Sequence, residues 1–444
     1  MKLSPVQWMV LSYMLATVIA AILLALPISL KPGVQLSFVD LLFTAVSAIS
    51  VTGLTTVDTA DTFTTWGILF LMLVFQFGAV GLMTLGTYIY ALLGKNITLK
   101  HRQLIMIDQN RHNLTGMVQT VLLVFRFAII LELIGGFLFG SYFWFKGYAD
   151  SWLGAYFYGL FHAVSSFTNA GFDLWGDSLF RFSRDYFVQT VTMLLIVAGA
   201  LGFPVWIEIK TKLSRKHPNF RFSLYAKLTT AAFMILLLAG AVSILWLEHK
   251  GYFANLPWHE KIFHALFYSV TPRNAGLTTL DVNVFSPVTL FLLSILMFIG
   301  ASPSSTGGGI RTTTFAVVIL TIITFMKGKS EVRVFKRRLN NEDIMKSFIA
   351  FSASMMLVSA AIIFLDMSEI YQHSLIHILF EVCSAFGTTG LSIGLTAELS
   401  TAGKYLMMVL MFIGRIGIIS FLWFVSGSRK EDPISYPEER VLIG

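Results

Sequence analysis

Charge is what this sequence has least of. Asp, Glu, Lys and Arg make up 13% of its 444 residues, against about 25% in a soluble domain. With 56% hydrophobic residues and a mean hydropathy of +0.74, a water-soluble globule is excluded. Cysteine occurs once, as Cys383 inside a short apolar segment. No disulfide framework can form within one chain, and the residue reads as small packing. Catalytic constellations are missing too. No Ser–His set, paired Asp or HExxH lies at helical spacing, which argues against an enzyme. GASPSSTGGG (Gly300–Gly309) has a superficial likeness to a phosphate-binding loop, but it lacks the GK[ST] ending and no strand precedes it.

What the chain has instead is apolar length. Val6–Ile28, Gly67–Gly94 and Leu224–Leu247 are nearly free of charge, and each exceeds the roughly 20 residues that cross a bilayer. A polytopic membrane protein follows. The net charge of +8 does not point to nucleic acid, because the cations are confined to particular loops. Lys2 and the stretches Lys95–Arg111, Lys210–Lys227, Lys327–Lys346 and Arg429–Arg440 hold 21 of the 32 Lys and Arg. That is the positive-inside bias, and it puts these loops and both termini in the cytoplasm. The start, MKLSPVQWMV, shows no small-residue cleavage site close behind a short apolar core. It reads as the first spanning helix rather than a removed signal.

One unit recurs four times. SVTGL (Gly53) matches SFTNAGF (Gly171), TPRNAGL (Gly276) and FGTTGLS (Gly390), with the glycines 118, 105 and 114 residues apart. An aromatic precedes each by 9 or 10 residues: Phe43, Phe161, Phe267 and Phe380. A second marker follows at 25, 28, 24 and 24 residues: FGAVGLM (Gly78), AGALGFP (Gly199), IGASPSS (Gly300) and IGRIGII (Gly414). Each copy reads as a spanning helix, a short helix, a tight segment and a second spanning helix. The first helices are expected near 6–27, 117–143, 224–247 and 345–365, and the short ones near 38–49, 155–167, 259–271 and 374–385. The second helices are expected near 66–93, 186–207, 287–326 and 402–426. The expected fold is an all-α membrane protein of four tandem helix–pore-loop–helix repeats, with eight spanning helices around a central pore. The repeats divide at 1–94, 95–208, 209–328 and 329–444. An even number of spans separates the copies, so all share one orientation, unlike inverted-repeat carriers.

The short segments explain the glycines. Non-helical backbone at membrane depth is tolerated only where it is buried in protein or lines a wet cavity. Four such segments around one axis meet that condition, and a dehydrated cation satisfies their carbonyls. Glycine reaches backbone angles that turn adjacent carbonyls inward, and the negative ends of the short helices favour a cation at the centre. The filter candidates are Val51, Thr52 and Gly53; Asn169, Ala170 and Gly171; Asn274, Ala275 and Gly276; Thr388, Thr389 and Gly390. They are neutral, so a large monovalent ion such as K⁺ suits them better than Ca²⁺, which prefers carboxylates. No covalently bound cofactor is expected.

GASPSSTGGGIRTTTF (Gly300–Phe315) cannot continue as a helix. It reads as a gate under the filter, made of Gly300, Ala301, Ser302, Ser304, Ser305, Thr306, Gly307, Gly308 and Gly309, with hydroxyls to hold alternate positions. The residue after each downstream glycine is Ala79, Ala200, Ala301 or Arg415. A mid-membrane arginine is a functional candidate, so Arg415 joins the gate, with Glu381 as its expected partner. Arg273, beside the third filter segment, is expected to pair with an acid such as Asp281 or to anchor structure. Arg126 and Glu132, six apart, receive no role, and His162 and His264 read as polar packing.

These motifs resemble the Trk/Ktr/HKT superfamily of potassium transporters. VTPRNAG, STGGGI and IGRIG are most similar to the membrane subunit of bacterial Ktr-type uptake systems. The resemblance covers nearly the whole chain. It implies K⁺ uptake across the bacterial plasma membrane, dependent on Na⁺ in some members. It also implies a homodimer with one pore per protomer and a cytoplasmic ring of nucleotide-binding regulatory subunits. Ser330–Lys346 is the favoured docking loop, and the apolar end of Pro433–Gly444 is expected to pack at a dimer interface. Asn274 stands where Thr is expected in close relatives, Pro303 where a small residue is commoner, and Arg311 where Lys is commoner. The alternative is a Na⁺-coupled cation carrier working by alternating access.

Overall fold

Among the described residues, four helices are long and apolar enough to cross a membrane: α1 (Pro5–Ala25), α5 (Met117–Lys146), α9 (Leu224–Glu248) and α13 (Asn341–Ser368). They belong to a computed structural model that describes residues 4–81, 117–214, 220–369, 373–426, 437 and 439. Each of the three described starts carries a cap. Ser4 and Gln7 form a capping box on α1, Ser223 accepts from the Ala226 amide, and Asn340 accepts from the Glu342 amide. The Asn340 cap starts the last helix at Asn341, earlier than the expected 345. All four helices expose large apolar side chains, among them Leu15, Ile130, Ile235 and Ile363. Apolar faces all round are the mark of helices between lipid and protein.

The short helices are α2 (Phe38–Ser50), α6 (Trp152–Thr168), α10 (Trp258–Val270) and α14 (Leu375–Gly387). Each lies within three residues of its expected bounds. Their C-terminal halves are buried: every residue from Phe43 to Ser50 and from Phe380 to Gly387 is enclosed. The recurring aromatics Phe43, Phe161, Phe267 and Phe380 are core residues, each at most 1% exposed.

The second helices depart from expectation. Only the third was expected to break, yet each of the four is interrupted. α4 (Thr65–Val80) stops at Gly81; α7 (Tyr186–Ala200) turns by 99° into α8 (Phe203–Leu213). α11 (Pro287–Ile299) and α12 (Thr312–Met326) are separated by the serine- and glycine-rich loop, and α16 (Thr401–Ile416) turns by 100° into α17 (Ile418–Ser426). Three of the breaks fall at a second glycine three residues after Gly78, Gly199 and Gly414. Gly81, Gly202 and Gly417 have φ of 92, 94 and 90°, a backbone closed to side-chain-bearing residues. The expected helix beyond 81, the basic stretch Lys95–Arg111, part of Lys210–Lys227 and most of 427–444 lie outside the described residues.

Between α12 and α13 a hairpin forms from β1 (Arg333–Val334) and β2 (Arg337–Arg338). Buried Val332 and Leu339 pack it with Val317 and Leu228. Glu331 accepts from Arg333 and Arg338, each at 2.7 Å. The Arg333 hydrogen bond, with the charge of Arg338, holds the Glu331 carboxyl below its ordinary range.

Carboxylates tie first helices to second ones. Glu248, at the end of α9, accepts from the Ser286 amide at 2.9 Å and the Ser286 hydroxyl at 2.8 Å, at the cap of α11. Glu369, after α13, accepts from the Ser400 hydroxyl at 2.7 Å, at the cap of α16. Asp185, the cap of α7, accepts from Tyr142 of α5 at 2.8 Å. Removing such an acceptor strands buried donors, at about 1–3 kcal/mol. Glu248→Ala is therefore expected to lower the thermal midpoint of the purified protein in detergent, and an unchanged midpoint would refute the tie.

Candidate functional site

α2, α6 and α14 each end on a residue in the left-handed region: Val51 (φ 59°), Asn169 (φ 60°) and Thr388 (φ 51°). The third copy reaches it four residues past the end of α10 at Val270, at Asn274 (φ 79°). These four residues hold the same place, two before the glycine. The turn sends the next amide back to the short helix. Thr52 donates to Ser47 O at 2.9 Å, Ala170 to Ser165 O at 2.8 Å, Ala275 to Thr271 O at 2.9 Å and Thr389 to Ser384 O at 2.8 Å. With the donors used, the carbonyls are left over. Among the described residues, those of Thr52, Ala170, Ala275, Thr389 and the four glycines accept no hydrogen bond.

The glycines close a ring. A Cβ added to Gly53 would face Ala170 O, one on Gly171 would face Ala275 O, one on Gly276 Thr389 O, and one on Gly390 Thr52 O, each inside 3.0 Å. The four segments thus meet in chain order, and the fourth returns to the first. All twelve residues named from sequence come together here. Only Gly53, Gly171 and Gly390 escape full burial.

The loop between α11 and α12 fastens to the breaks in the other second helices. The Ser302 and Thr306 amides donate to Ala200 O and Gly199 O at 3.1 and 3.3 Å, and the Gly309 amide to Gly414 O at 3.2 Å. The loop therefore runs from the second copy to the fourth, beneath the ring. Ser304 accepts from the Phe203 amide at 2.8 Å, and Tyr225 donates to Pro303 O at 2.6 Å. Ser305 donates to Ser302 O at 2.6 Å. Gly300 and Gly309 take φ of 61 and 73°.

Two arginines grip this loop. Arg415, 8% exposed, donates to Thr306 O, Gly78 O and Ala79 O. Arg311 donates to Gly307 O. Glu381 is not the partner of Arg415. Its carboxylate accepts from Ser392 at 2.6 Å, the Ile393 amide at 3.0 Å and Thr396 at 2.7 Å, and so fixes the chain just past Gly390. Broken helices offer free carbonyls, and the guanidinium takes those instead.

Arg273 does not pair with Asp281. It is fully buried and donates weakly to Leu296 O at 3.5 Å, while Asp281 accepts from Asn283 at 2.9 Å. Glu132, given no role, is buried and accepts from Gln76 of α4 at 2.8 Å; Arg126 is exposed. His162 bonds Thr192 at 2.9 Å, a packing contact. Gly81, Gly202 and Gly417 were missed as break points, although each stands in a quoted downstream motif.

The family model for cation transport proteins named TrkH matches residues 8–431. The Ktr system potassium uptake protein D of Bacillus subtilis is 50% identical over 442 residues, covering 100% of this chain and 98% of that one. The Ktr system potassium uptake protein B of the same organism is 37% identical, covering 100% and 97%. The potassium/sodium uptake protein NtpJ of Enterococcus hirae is 33% identical, covering 100% and 98%. The crystal structure of the potassium transporter TrkH from Vibrio parahaemolyticus superposes with a TM-score of 0.71 at 18% identity, covering 93% of this chain and 84% of that one.

Arg415→Ala would leave the carbonyls of Thr306, Gly78 and Ala79 without their donor. Hydrogen exchange across 300–311 in the full-length protein is expected to accelerate, by about tenfold for a loss of ~1.4 kcal/mol. Unchanged protection would show that the arginine does not hold the loop.

Proposed function

The chain belongs to the TrkH family of cation transport proteins, and on that premise we propose that it takes up K⁺ across the bacterial plasma membrane through a channel-like pore. One observation carries this reading: four glycine segments close a ring in which the carbonyls of Thr52, Ala170, Ala275, Thr389 and the four glycines have no donor among the described residues. Such carbonyls replace the hydration shell of a monovalent ion. The relatives from B. subtilis carry potassium uptake in their names. A potential negative inside adds about 2.3 kcal/mol per charge per 100 mV, so accumulation needs no nucleotide site in this chain.

The loop at 300–311 is the gate in this proposal. It crosses beneath the ring, and two guanidiniums hold it by its carbonyls. Their positive charge also opposes a cation in the same space. Opening moves the loop aside and exchanges those hydrogen bonds for others. Its hydroxyl-rich composition, Ser302, Ser304, Ser305 and Thr306, suits two bonded positions.

The wider reading has the chain working as a homodimer, one pore per protomer, on a cytoplasmic ring of nucleotide-binding regulatory subunits. The name "Ktr system" of the two relatives supports an assembly of more than one protein. The basic hairpin at 333–338 offers such a partner a rigid surface. The name of the E. hirae relative favours a part for Na⁺, and a Na⁺-coupled carrier is the second reading. Flux separates the two, since a channel passes K⁺ without stoichiometric Na⁺.

Gly53→Ser or Gly276→Ser puts a side chain against a carbonyl of the next segment. The K⁺ over Na⁺ flux ratio in proteoliposomes is expected to fall about tenfold, equivalent to ~1.4 kcal/mol, and an unaltered ratio removes these residues from the filter. Deleting residues 305–308 is expected to raise K⁺ flux. A folded deletion variant whose flux is unchanged or lost counts against the gate.

A further inference from the structure

Three consecutive residues of the gate loop meet three segments of the ring. Thr306 Oγ1 accepts from Asn169 Nδ2 at 2.8 Å. Gly307 lies against the Asn274 amide, and Gly308 against the Thr388 hydroxyl, so closely that a Cβ on either glycine would fall inside 3.0 Å of them. Asn169, Asn274 and Thr388 are the equivalent left-handed residues of copies two, three and four, and all are fully buried. The fourth equivalent, Val51, has no polar group and packs toward Gly78.

The geometry therefore joins the loop to side chains whose own backbones carry the filter carbonyls. In copy two the joint is one hydrogen bond between a filter residue and a gate residue. Asn169 Oδ1 finds no donor among the described residues, so the Thr306 bond is what fixes this amide. Left-handed backbone costs a side-chain-bearing residue about 1–2 kcal/mol, less for Asn. The turn is held from the helix side by the Asn169 and Ala170 amides on Ser166 O and Ser165 O and from the loop side by the Thr306 bond, so cutting that bond removes its hold on the loop side.

We propose that Asn169 and Thr306 form a latch between gate and filter. While the loop lies beneath the ring, the amide is fixed and the Asn169–Ala170–Gly171 backbone keeps its position. Withdrawing the loop frees the amide and shifts that quarter of the ring, so ion preference depends on gate position. Asn169 is thus a positioning residue for selectivity, acting through the backbone of Ala170 and Gly171. This rests on the filter and gate reading above.

The test uses the full chain in proteoliposomes, with K⁺ and Na⁺ fluxes measured for Asn169→Ala, Thr306→Val and the double variant. Thr306→Val keeps the side-chain shape and reads the same bond from the other end, so an unfolded Asn169→Ala would not stop the test. Loss of one buried hydrogen bond is expected to raise K⁺ flux and lower the K⁺ to Na⁺ ratio, each by about two- to tenfold. The double variant is expected to match either single one, because one bond is removed in all three. Raised flux with an unchanged ratio, or additive effects in the double variant, would overturn the latch and leave the gate standing. Failure of the gate itself reads differently, as unchanged flux when residues 305–308 are deleted.

Discussion

A backbone carbonyl that leaves a helix inside a bilayer has no water to turn to, and each one left bare costs several kcal/mol. This chain breaks its helices repeatedly, and the arrangement of the fold follows from where the freed carbonyls go. Those at the ends of the short helices are turned toward one another at the ring. Those at the breaks of the second helices, Gly78, Gly199 and Gly414, are taken up by the loop amides and by Arg415. Of the first group, the carbonyls of Thr52, Ala170, Ala275, Thr389 and the four glycines accept no hydrogen bond among the described residues, and in the proposed function they are left for an ion. The second group is fully engaged and holds the loop.

The same constraint accounts for the unequal copies. In three of them the helix ends at a glycine three residues past the marker, and it resumes in a new direction in the two whose far side is described. The third inserts a loop at its marker instead. That loop supplies donors to the breaks of copies two and four, while Arg415 supplies them to the break of copy one. Arg415 replaces the alanine of its equivalents, and five donors on one guanidinium suit a place where several carbonyls converge.

Charge is used sparingly, and its buried members meet partners of a definite kind. Carboxylates stand at helix ends, where Glu248 and Glu369 receive the hydroxyls and amides of the next helix cap. Glu381 does similar service for the chain just beyond Gly390. Arg273, Arg311 and Arg415 meet carbonyls, whereas Arg333 and Arg338 of the hairpin meet Glu331. The described residues do contain an ion pair at the closure of the ring, Lys404 with Asp40 at 2.8 Å, joining the fourth copy to the first. A partly buried pair of this kind resists screening better than an exposed one.

Much of this was legible in the residues themselves. Apolar length determines the membrane-spanning class, and equal spacing of two glycine markers determines the bounds of the first and short helices to within a few residues. The ring candidates Gly53, Gly171, Gly276 and Gly390 were visible because a tight turn at membrane depth has few chemical solutions. The bends at Gly202 and Gly417 were not, since a lone glycine inside an apolar run is compatible with a continuing helix, and only packing forces it open. Nor could spacing disclose the partners of Arg415, because Gly78 and Thr306 lie 337 and 109 residues away. Local chemistry dictates which backbone must turn; which distant donor then meets each freed carbonyl is decided by the closing of the chain, where the fourth copy comes back against the first.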